Sequence, residues 1–543
     1  MAMQMNLADL FENAVDHFGD REYLLCEGKS RTYAEMEARA NRLAHVLQKA
    51  GIKPGDHVGI YGYNSVEWIE SLWAIFKIRA VWININYRYV EDELRYIVGN
   101  ADLKGLIYAR EFAPLVASVQ DSMPDVGPLI CIEDGSAADP SGLEAQDFEA
   151  AMESSHPERD FETRSPDDRY ILYTGGTTGM PKGVVWRHED VIFALGGGID
   201  PNTGERIEKP EDMVAKAGDT PMVFLPIAPL MHGATQWACM SQSFVGNKVI
   251  LIPKFSPDLV WDLVESEGIN SMMITGDAMG RPMVEALAAD HNRDLSSFFL
   301  LTSSAATFSP SVKDEFFEHF PNLMMIDAIG SSESGNNGMI FVEKGKTAMQ
   351  GGPRVRKLGA TEVLNEEGHP VKPGSGEIGK LARGGDIPVG YYNDPVKTAE
   401  TFKIFHGKRY AMPGDFAQVE ADESITLLGR GSVSINSGGE KIFPEEVESA
   451  VKSHPEVFDC TIVGVPDERW GERVCAVVQP REGCQPELTS VQEACRTKIA
   501  GYKVPREIHF VAQIVRSPSG KPDYRWAKAT ALEMGGATGA STT

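Results

Sequence analysis

Tyr170-Ile-Leu-Tyr-Thr-Gly-Gly-Thr-Thr-Gly-Met-Pro-Lys-Gly-Val-Val-Trp186 reads as a strand, a glycine-rich loop and a second strand. Tyr170–Tyr173 and Gly183–Trp186 are apolar runs of strand length, and the intervening glycines break any helix. Glycines let the backbone turn tightly and present bare N–H groups to an anion. Thr174, Thr177 and Thr178 add hydroxyl donors, and Lys182 adds a point charge suited to phosphate. Pro181 precedes that lysine and Gly183 follows it, so the loop is not the Gly-Lys-Ser/Thr turn found at a helix mouth. It suits a polyphosphate; a solvated hairpin turn is the other reading.

The chain around this loop has 543 residues and a net charge of −26. That length allows several domain-sized cores. The charge repels a phosphodiester backbone, so no nucleic acid partner is expected. Seven cysteines without paired spacing predict a reducing, cytoplasmic setting rather than disulfides or zinc. The longest apolar stretch, Trp68 to Ile85, is interrupted by Glu70, Lys77, Arg79 and Asn84, so no membrane segment is expected. No signal peptide is expected either.

Working outward, apolar spacing predicts a helix with Leu7, Leu10, Phe11, Ala14 and Phe18 on one face. Thr32 and Glu35 have capping-box spacing and open a second helix. His57–Tyr61 reads as a strand. From residue 220, short apolar runs at Met222–Leu225, Val249–Ile252, Ser271–Thr275, Phe298–Thr302 and Leu323–Ile326 alternate with helical stretches. That is the pattern of a largely parallel α/β sheet. Residues 350–430 turn to glycine, proline and short β-like runs, and a boundary is placed at Gly429-Arg-Gly-Ser432. The tail from Gly535 is small and polar and is expected to be disordered.

Four further clusters follow the loop. Ile329-Gly-Ser-Ser-Glu333 puts a carboxylate after a strand, fit for magnesium or for a capped turn. Pro413-Gly-Asp415 sets an acid after a turn, either to accept from a ribose diol, with Arg430 beside it, or to face water. Ser437-Gly-Gly-Glu440 is a second glycine turn. Ser517-Pro-Ser-Gly-Lys-Pro522 holds one lysine, which by itself reads as solvated.

In this order and spacing the clusters resemble the adenylate-forming superfamily of acyl-CoA synthetases, adenylation domains and luciferases, over roughly residues 5 to 530. Trp186-Arg-His-Glu-Asp190, His232-Gly-Ala-Thr-Gln236, Thr275-Gly-Asp-Ala-Met279, Gly429–Lys441 and Ser519–Lys528 look like actinobacterial ligases of sterol side-chain acids. The resemblance implies an α/β fold: a large N-terminal domain, residues 1–430, with two αβ sheet subdomains and a small β-rich one, then a mobile α+β domain, residues 433–543. The hinge would be 430–433. The implied reaction joins a carboxylic acid to coenzyme A through an acyl-adenylate, using ATP and Mg2+. A sterol side-chain or other bulky acid is expected, with a medium- or long-chain fatty acid or an aryl acid as the alternative. A homodimer is left open.

Residue by residue, the resemblance assigns Thr174, Gly175, Gly176, Thr177, Thr178, Gly179 and Lys182 to the phosphates, with Thr178 and Lys182 also catalytic. Ser304, Ala305, Ala306, Asp327, Ile329, Gly330, Ser331 and Ser332 would border the nucleotide. Glu333 would hold magnesium, Asp415 and Arg430 the ribose, and Lys521 the reacting carboxylate and α-phosphate. His232, Trp237, Thr275, Gly276, Asp277 and Ser303 would line the acyl site; by its own chemistry His232 also fits a satisfied core imidazole. Ser437, Gly438 and Gly439 would line the coenzyme A channel. The chain departs from the family at Gly175, usually Ser, at Ile329, usually an adenine-stacking Tyr, at Pro413, usually Thr, and at Ser432, usually Asp or Lys.

Overall fold

The computed structural model describes residues 3–174, 180–200, 203–289, 292–347, 353–437, 440–467, 470–517 and 520–539. The chain folds as two compact units. The first is Met1–Met273 with Asp294–Phe298 and Asp386–Phe402; the second is Ile274–Arg293 with Phe299–Gly385 and Lys403–Thr543.

In the first unit the expected amphipathic helix is Leu7–Phe18. Thr32 accepts from the Glu35 amide while the Glu35 side chain reaches back, capping the helix Tyr33–Lys49. One sheet runs in the order Gly390–Tyr391, Lys182–Arg187, Arg169–Thr174, Val81–Ile85, His57–Tyr61, Leu103–Ala109, Leu129–Ile132 and Gln146–Asp147. Its centre is parallel. Next to the edge strand Gly390–Tyr391 lies the expected hairpin, with Tyr170 opposite Trp186 and Thr174 opposite Lys182. A second run joins Lys29–Thr32, Glu22–Cys26, Lys248–Leu251, Val223–Pro226 and Ser271–Ile274, parallel apart from its first pair.

The stretch Trp68–Ile85 is split between the helix Val66–Lys77 and the strand Val81–Ile85. Its polar interruptions tie it into the core. Lys77 is fully buried and reaches Glu12 at 2.6 Å and Glu37 at 2.8 Å. Arg164 adds two bonds to Glu12, at 2.9 and 2.6 Å. Around them Phe11 stacks on Trp73 with ring centroids 4.2 Å apart. No helix among the described residues is long and apolar enough to cross a membrane.

In the second unit Leu300–Ser303 runs parallel to Met324–Ser331, which turns back antiparallel as Gly335–Val342. The first of these strands begins two residues later than its apolar run suggests. Residues 350–430 are β-rich as expected: Arg354–Lys357, Ile425–Arg430, Asp415–Val419, Ile378–Arg383 and Thr361–Leu364 pair in succession.

The same unit carries a five-stranded sheet of Glu440–Ile442, Ile435–Ser437, Gly471–Pro480, Val457–Asp467 and Glu507–Phe510. The two-residue period of its long strands sends alternate side chains to opposite faces. Ile462, Val474 and Val478 meet Val447, Val451 and Val491 on one face. Val463, Val465 and Val477 meet Ala527 and Ala531 on the other.

The helix bearing those alanines runs Tyr524–Gly539, which corrects the expectation of disorder over 535–539; residues 540–543 lie outside the described residues. Once its first turns are packed, each added residue gains a backbone bond without a new nucleus. All seven cysteines are free.

Replacing Lys77 by Met removes a fully buried cation from both Glu12 and Glu37, which keep only Arg164 and Arg159 at the edge of the cluster. Loss of one partner from a buried pair costs about 3 to 5 kcal/mol. The expected result is that much loss for the first unit in urea, followed by tryptophan fluorescence.

Candidate active site

The hairpin end is fixed from behind. Asn84 accepts the Tyr173 amide at 2.6 Å and donates to the Tyr173 carbonyl at 2.7 Å and the Met231 carbonyl at 2.9 Å. One buried amide therefore ties the glycine loop to the His232 segment. Gly183 is required by packing: a Cβ there would stand 2.8 Å from the Tyr173 ring. Thr174 and Lys182 are opposed at the loop mouth. Gly175, Gly176, Thr177, Thr178 and Gly179 lie outside the described residues.

Lys182 is not left to solvent. Its Nζ donates to Asp394 Oδ2. Asp394 also caps the helix Pro395–Thr401 by accepting the Lys397 N–H at 2.8 Å. Those two bonds, the lysine's first, hold the Asp394 carboxyl below its usual range. Sequence reasoning missed Asp394, although Asp before Pro is a helix-start signal.

His232 is half-buried and precedes the helix Gly233–Ser243. At Gly233 a Cβ would come 2.4 Å from Leu172 and 3.0 Å from the Trp237 ring. Trp237 is buried in the first unit's core, edge-on to Trp186 with centroids 6.2 Å apart.

In the second unit, Gly276 has φ +54 and its absent Cβ would fall 2.2 Å from the Thr307 carbonyl oxygen. Its N–H donates to Ser303 Oγ at 3.2 Å. Asp277 N–H donates to Thr307 O at 2.9 Å, and Asp277 Oδ1 accepts the Ser309 N–H at 2.7 Å. Ser304 N–H donates to Ile274 O at 3.2 Å. These bonds stitch Thr275–Asp277 to Ser303–Ser309. Between them Ala305 stands at φ +69, a left-handed conformation that costs a residue with a Cβ about 1 kcal/mol.

Asp327 is buried against Lys313. Burial raises its carboxyl above the usual range despite that ammonium. Ile329 packs with Val355, Val363 and Ile425 in the β-rich core. Gly330 leaves room for the Gly335 carbonyl, which a Cβ would approach to 2.5 Å. Ser331 Oγ and Ser334 Oγ are 2.8 Å apart, and Ser332 and Glu333 are half-buried in the turn between them.

Asp415 and Arg430 are cross-strand partners, directly opposite in an antiparallel pair. Gly414, at φ +105, makes the preceding turn. Ser437 ends the strand Ile435–Ser437; Gly438 and Gly439 lie outside the described residues.

Lys521 follows a turn in which Gly520 N–H donates to Ser517 O at 2.8 Å and Ser517 N–H to Lys521 O at 2.9 Å. Arg516 Nη1 donates to the Gly520 carbonyl at 3.0 Å. A Cβ on Gly520 would lie 3.0 Å from Ala278 Cβ and 3.3 Å from Thr275 O. The lysine turn thus rests on the segment the sequence assigned to the acyl site.

Beneath the turn is a charge cluster that the sequence did not reveal. Arg516 donates to both Asp459 oxygens, at 2.7 and 2.6 Å. Lys452, almost wholly buried, sits 3.2 Å from Asp459 and 3.5 Å from Asp277. Burial works to raise the Asp459 carboxyl, but Lys452 and Arg516 outweigh it and bring it down to about 2. Burial opposes the Lys452 charge, which Asp459 and Asp277 more than restore. Elsewhere Cys475, Glu507 and His509 cluster closely enough to hold a metal, but Glu507 Oε2 already accepts two bonds from Arg473, at 2.9 and 2.6 Å.

With this geometry in place, the likeness to known proteins is direct. The AMP-binding enzyme pattern matches residues 11–392, and its C-terminal domain pattern matches 446–521. The chain belongs to the AMP-binding enzyme family. This AMP-binding enzyme is 52% identical to the 3-oxocholest-4-en-26-oate–CoA ligase of Rhodococcus rhodochrous, over 97% of this chain and 96% of that one. It is 50% identical to the medium/long-chain-fatty-acid–CoA/3-oxocholest-4-en-26-oate–CoA ligase of Mycobacterium tuberculosis, with the same coverage. An anthranilate CoA ligase solved with anthranoyl-AMP shares the fold, with a TM-score of 0.84 and 22% identity over 99% of both chains.

Asp459 gives the C-terminal sheet an acid dependence. Its folded carboxyl lies at about 2 against an ordinary 3.8. The stabilisation is therefore complete above pH ~4 and is lost as the pH falls toward ~2, a contribution of roughly 2 kcal/mol. Asp459→Asn is expected to lower the melting temperature at pH 7 and to flatten its fall between pH 4 and 2, followed by circular dichroism.

Proposed function

We propose that this enzyme is an AMP-forming acyl-CoA ligase acting on sterol side-chain acids, with medium- and long-chain fatty acids as further substrates. One observation carries the reading: half-identity over nearly the full length to ligases named for those acids, with Lys182, Glu333, Asp415 and Lys521 all present at the motif positions.

In the first half-reaction a carboxylate oxygen attacks the α-phosphorus of ATP, the bond to the β-phosphate oxygen breaks, and pyrophosphate leaves. In the second, the coenzyme A sulfur attacks the acyl carbonyl and AMP leaves. The barrier is electrostatic, since an anion must approach a polyanion. Thr174 and Lys182 at the loop mouth would hold the outer phosphates. To do so Lys182 must exchange its Asp394 partner for phosphate oxygens. Asp415, opposite Arg430, would accept from the ribose hydroxyls. Lys521 would bridge the reacting carboxylate and the α-phosphate.

Glu333, a half-buried carboxylate beside Ser331 and Ser334, offers the hard oxygen donors that Mg2+ takes. It would hold that ion, which when bound offsets phosphate charge.

The Thr275–Asp277 and Ser303–Ser304 segments would border the acyl group. Small Ser303 and Ser304 side chains favour a bulky acid, and Ile329 would meet adenine with an apolar face rather than a stacked ring. Residues 430–433 would serve as the hinge on which the C-terminal module exchanges the Lys521 turn for the Gly438–Gly439 loop. Free cysteines throughout suit a reducing compartment.

In a pyrophosphate-release panel, 3-oxocholest-4-en-26-oate is expected to give the highest kcat/KM. Hexadecanoate outrunning it would sink the sterol preference. Lys521→Ala is expected to remove adenylate formation, by about 100-fold or more, while supplied acyl-AMP still yields the thioester. Asp415→Ala is expected to raise the KM for ATP with the KM for the acid unchanged.

A further inference from the structure

The helix Asp277–Ala289 carries Asp277, Arg281 and Glu285, spaced four apart and so on one face. Each meets the C-terminal module. Asp277 lies 3.5 Å from Lys452. Arg281 lies over the Phe458 ring at 5.9 Å. Glu285 accepts from Arg481 at 2.7 Å. Beside the stripe, Gly520 sits against Thr275 and Ala278, and Arg516 links the Gly520 carbonyl to Asp459. Lys452 joins Asp459 to Asp277.

An unbroken chain of contacts therefore runs from the stripe to the peptide before Lys521. We propose that this stripe is the dock that holds the C-terminal module in its adenylate-forming orientation, and that Lys452 is a positioning residue for Lys521. The inference rests on the ligase reading above.

The chemistry suits a reversible dock. Arg281 is 2% exposed, yet its Nε and Nη2 have no hydrogen-bond partner among the described residues. A buried cation left short of acceptors is costly, so the surface grips without being a permanent core. The Arg481–Glu285 pair, at 32% and 40% side-chain exposure, contributes orientation more than stability. Lys452 supplies the buried charge that Asp277 and Asp459 require. None of these side chains needs to touch nucleotide; they act by fixing where the lysine turn sits, and a misplacement of one ångström can cost about 100-fold.

The test separates the half-reactions in the full-length enzyme. Adenylate formation is read as single-turnover pyrophosphate release with ATP and the best acid of the panel. Thioester formation is read from supplied acyl-AMP and coenzyme A. Arg481→Glu sets two carboxylates against each other on an exposed edge and leaves the core intact. It is expected to slow adenylate formation about 3- to 10-fold, with the KM for ATP unchanged and thioester formation within about twofold. The swapped pair Arg481→Glu with Glu285→Arg is expected to restore the rate. Lys452→Met is expected to lose about 10- to 100-fold in the first half alone, with Lys452→Arg recovering most of it.

Equal loss in both halves, no loss in either, or failure of the swap to restore activity would overturn the dock. Should Lys452→Met not fold, the exposed pair decides. A wild-type enzyme that forms no adenylate from any acid would instead remove the ligase reading, and the dock with it.

Discussion

Four ammonium groups at key points of this chain are placed by the carboxylates that meet them. Lys77 is fully buried between Glu12 and Glu37 and locks the N-terminal helices together. Lys313 is buried against Asp327 in the middle of the strand Met324–Ser331. Lys452 bridges Asp277 and Asp459, and Lys182 is held by Asp394 at the mouth of the glycine loop. A buried charge without its counter-ion is strongly destabilising, so these pairs tie segments together, across 14 residues for Lys313 and Asp327 and 40 for Lys77 and Glu37. Chemistry that drives one anion onto another needs cations at fixed points. Under the proposed function Lys182 would be one such cation, held by Asp394 until phosphate replaces it.

Much of the frame was legible because it follows from local pattern. The strand–loop–strand of Tyr170–Trp186, the capping box at Thr32 and Glu35, and the alternating runs after residue 220 each rest on short-range rules. The edges were less legible. Apolar composition does not say where pairing starts, so Leu300–Ser303 begins later than its run. Nor does a small, polar tail reveal that its helix is already nucleated by Ala527 and Ala531.

The candidate site divides the same way. Motif residues could be named from sequence, and the structure sets Asp415 opposite Arg430 and the Lys521 turn against Thr275. The residues that hold those motifs could not be named. Lys452 ends an ordinary amphipathic helix, and Asp459 sits in an apolar strand. They lie close together in the chain, but the partners that join them to the site, Asp277 and Arg516, are far off, so no short window of sequence contains the whole cluster. Asp277 was read as a substrate contact, and its carboxylate meets Ser309 and Lys452.

Membership of the AMP-binding enzyme family and half-identity to sterol and fatty acid CoA ligases make a definite chemical claim, that the acid's own oxygen ends on AMP. The direct measurement is isotope transfer. With the acid labelled by 18O in both carboxylate oxygens, and ATP and coenzyme A unlabelled, the account requires one 18O in the phosphate of the AMP product for each thioester formed. Unlabelled AMP, or ADP and phosphate in its place, would contradict it.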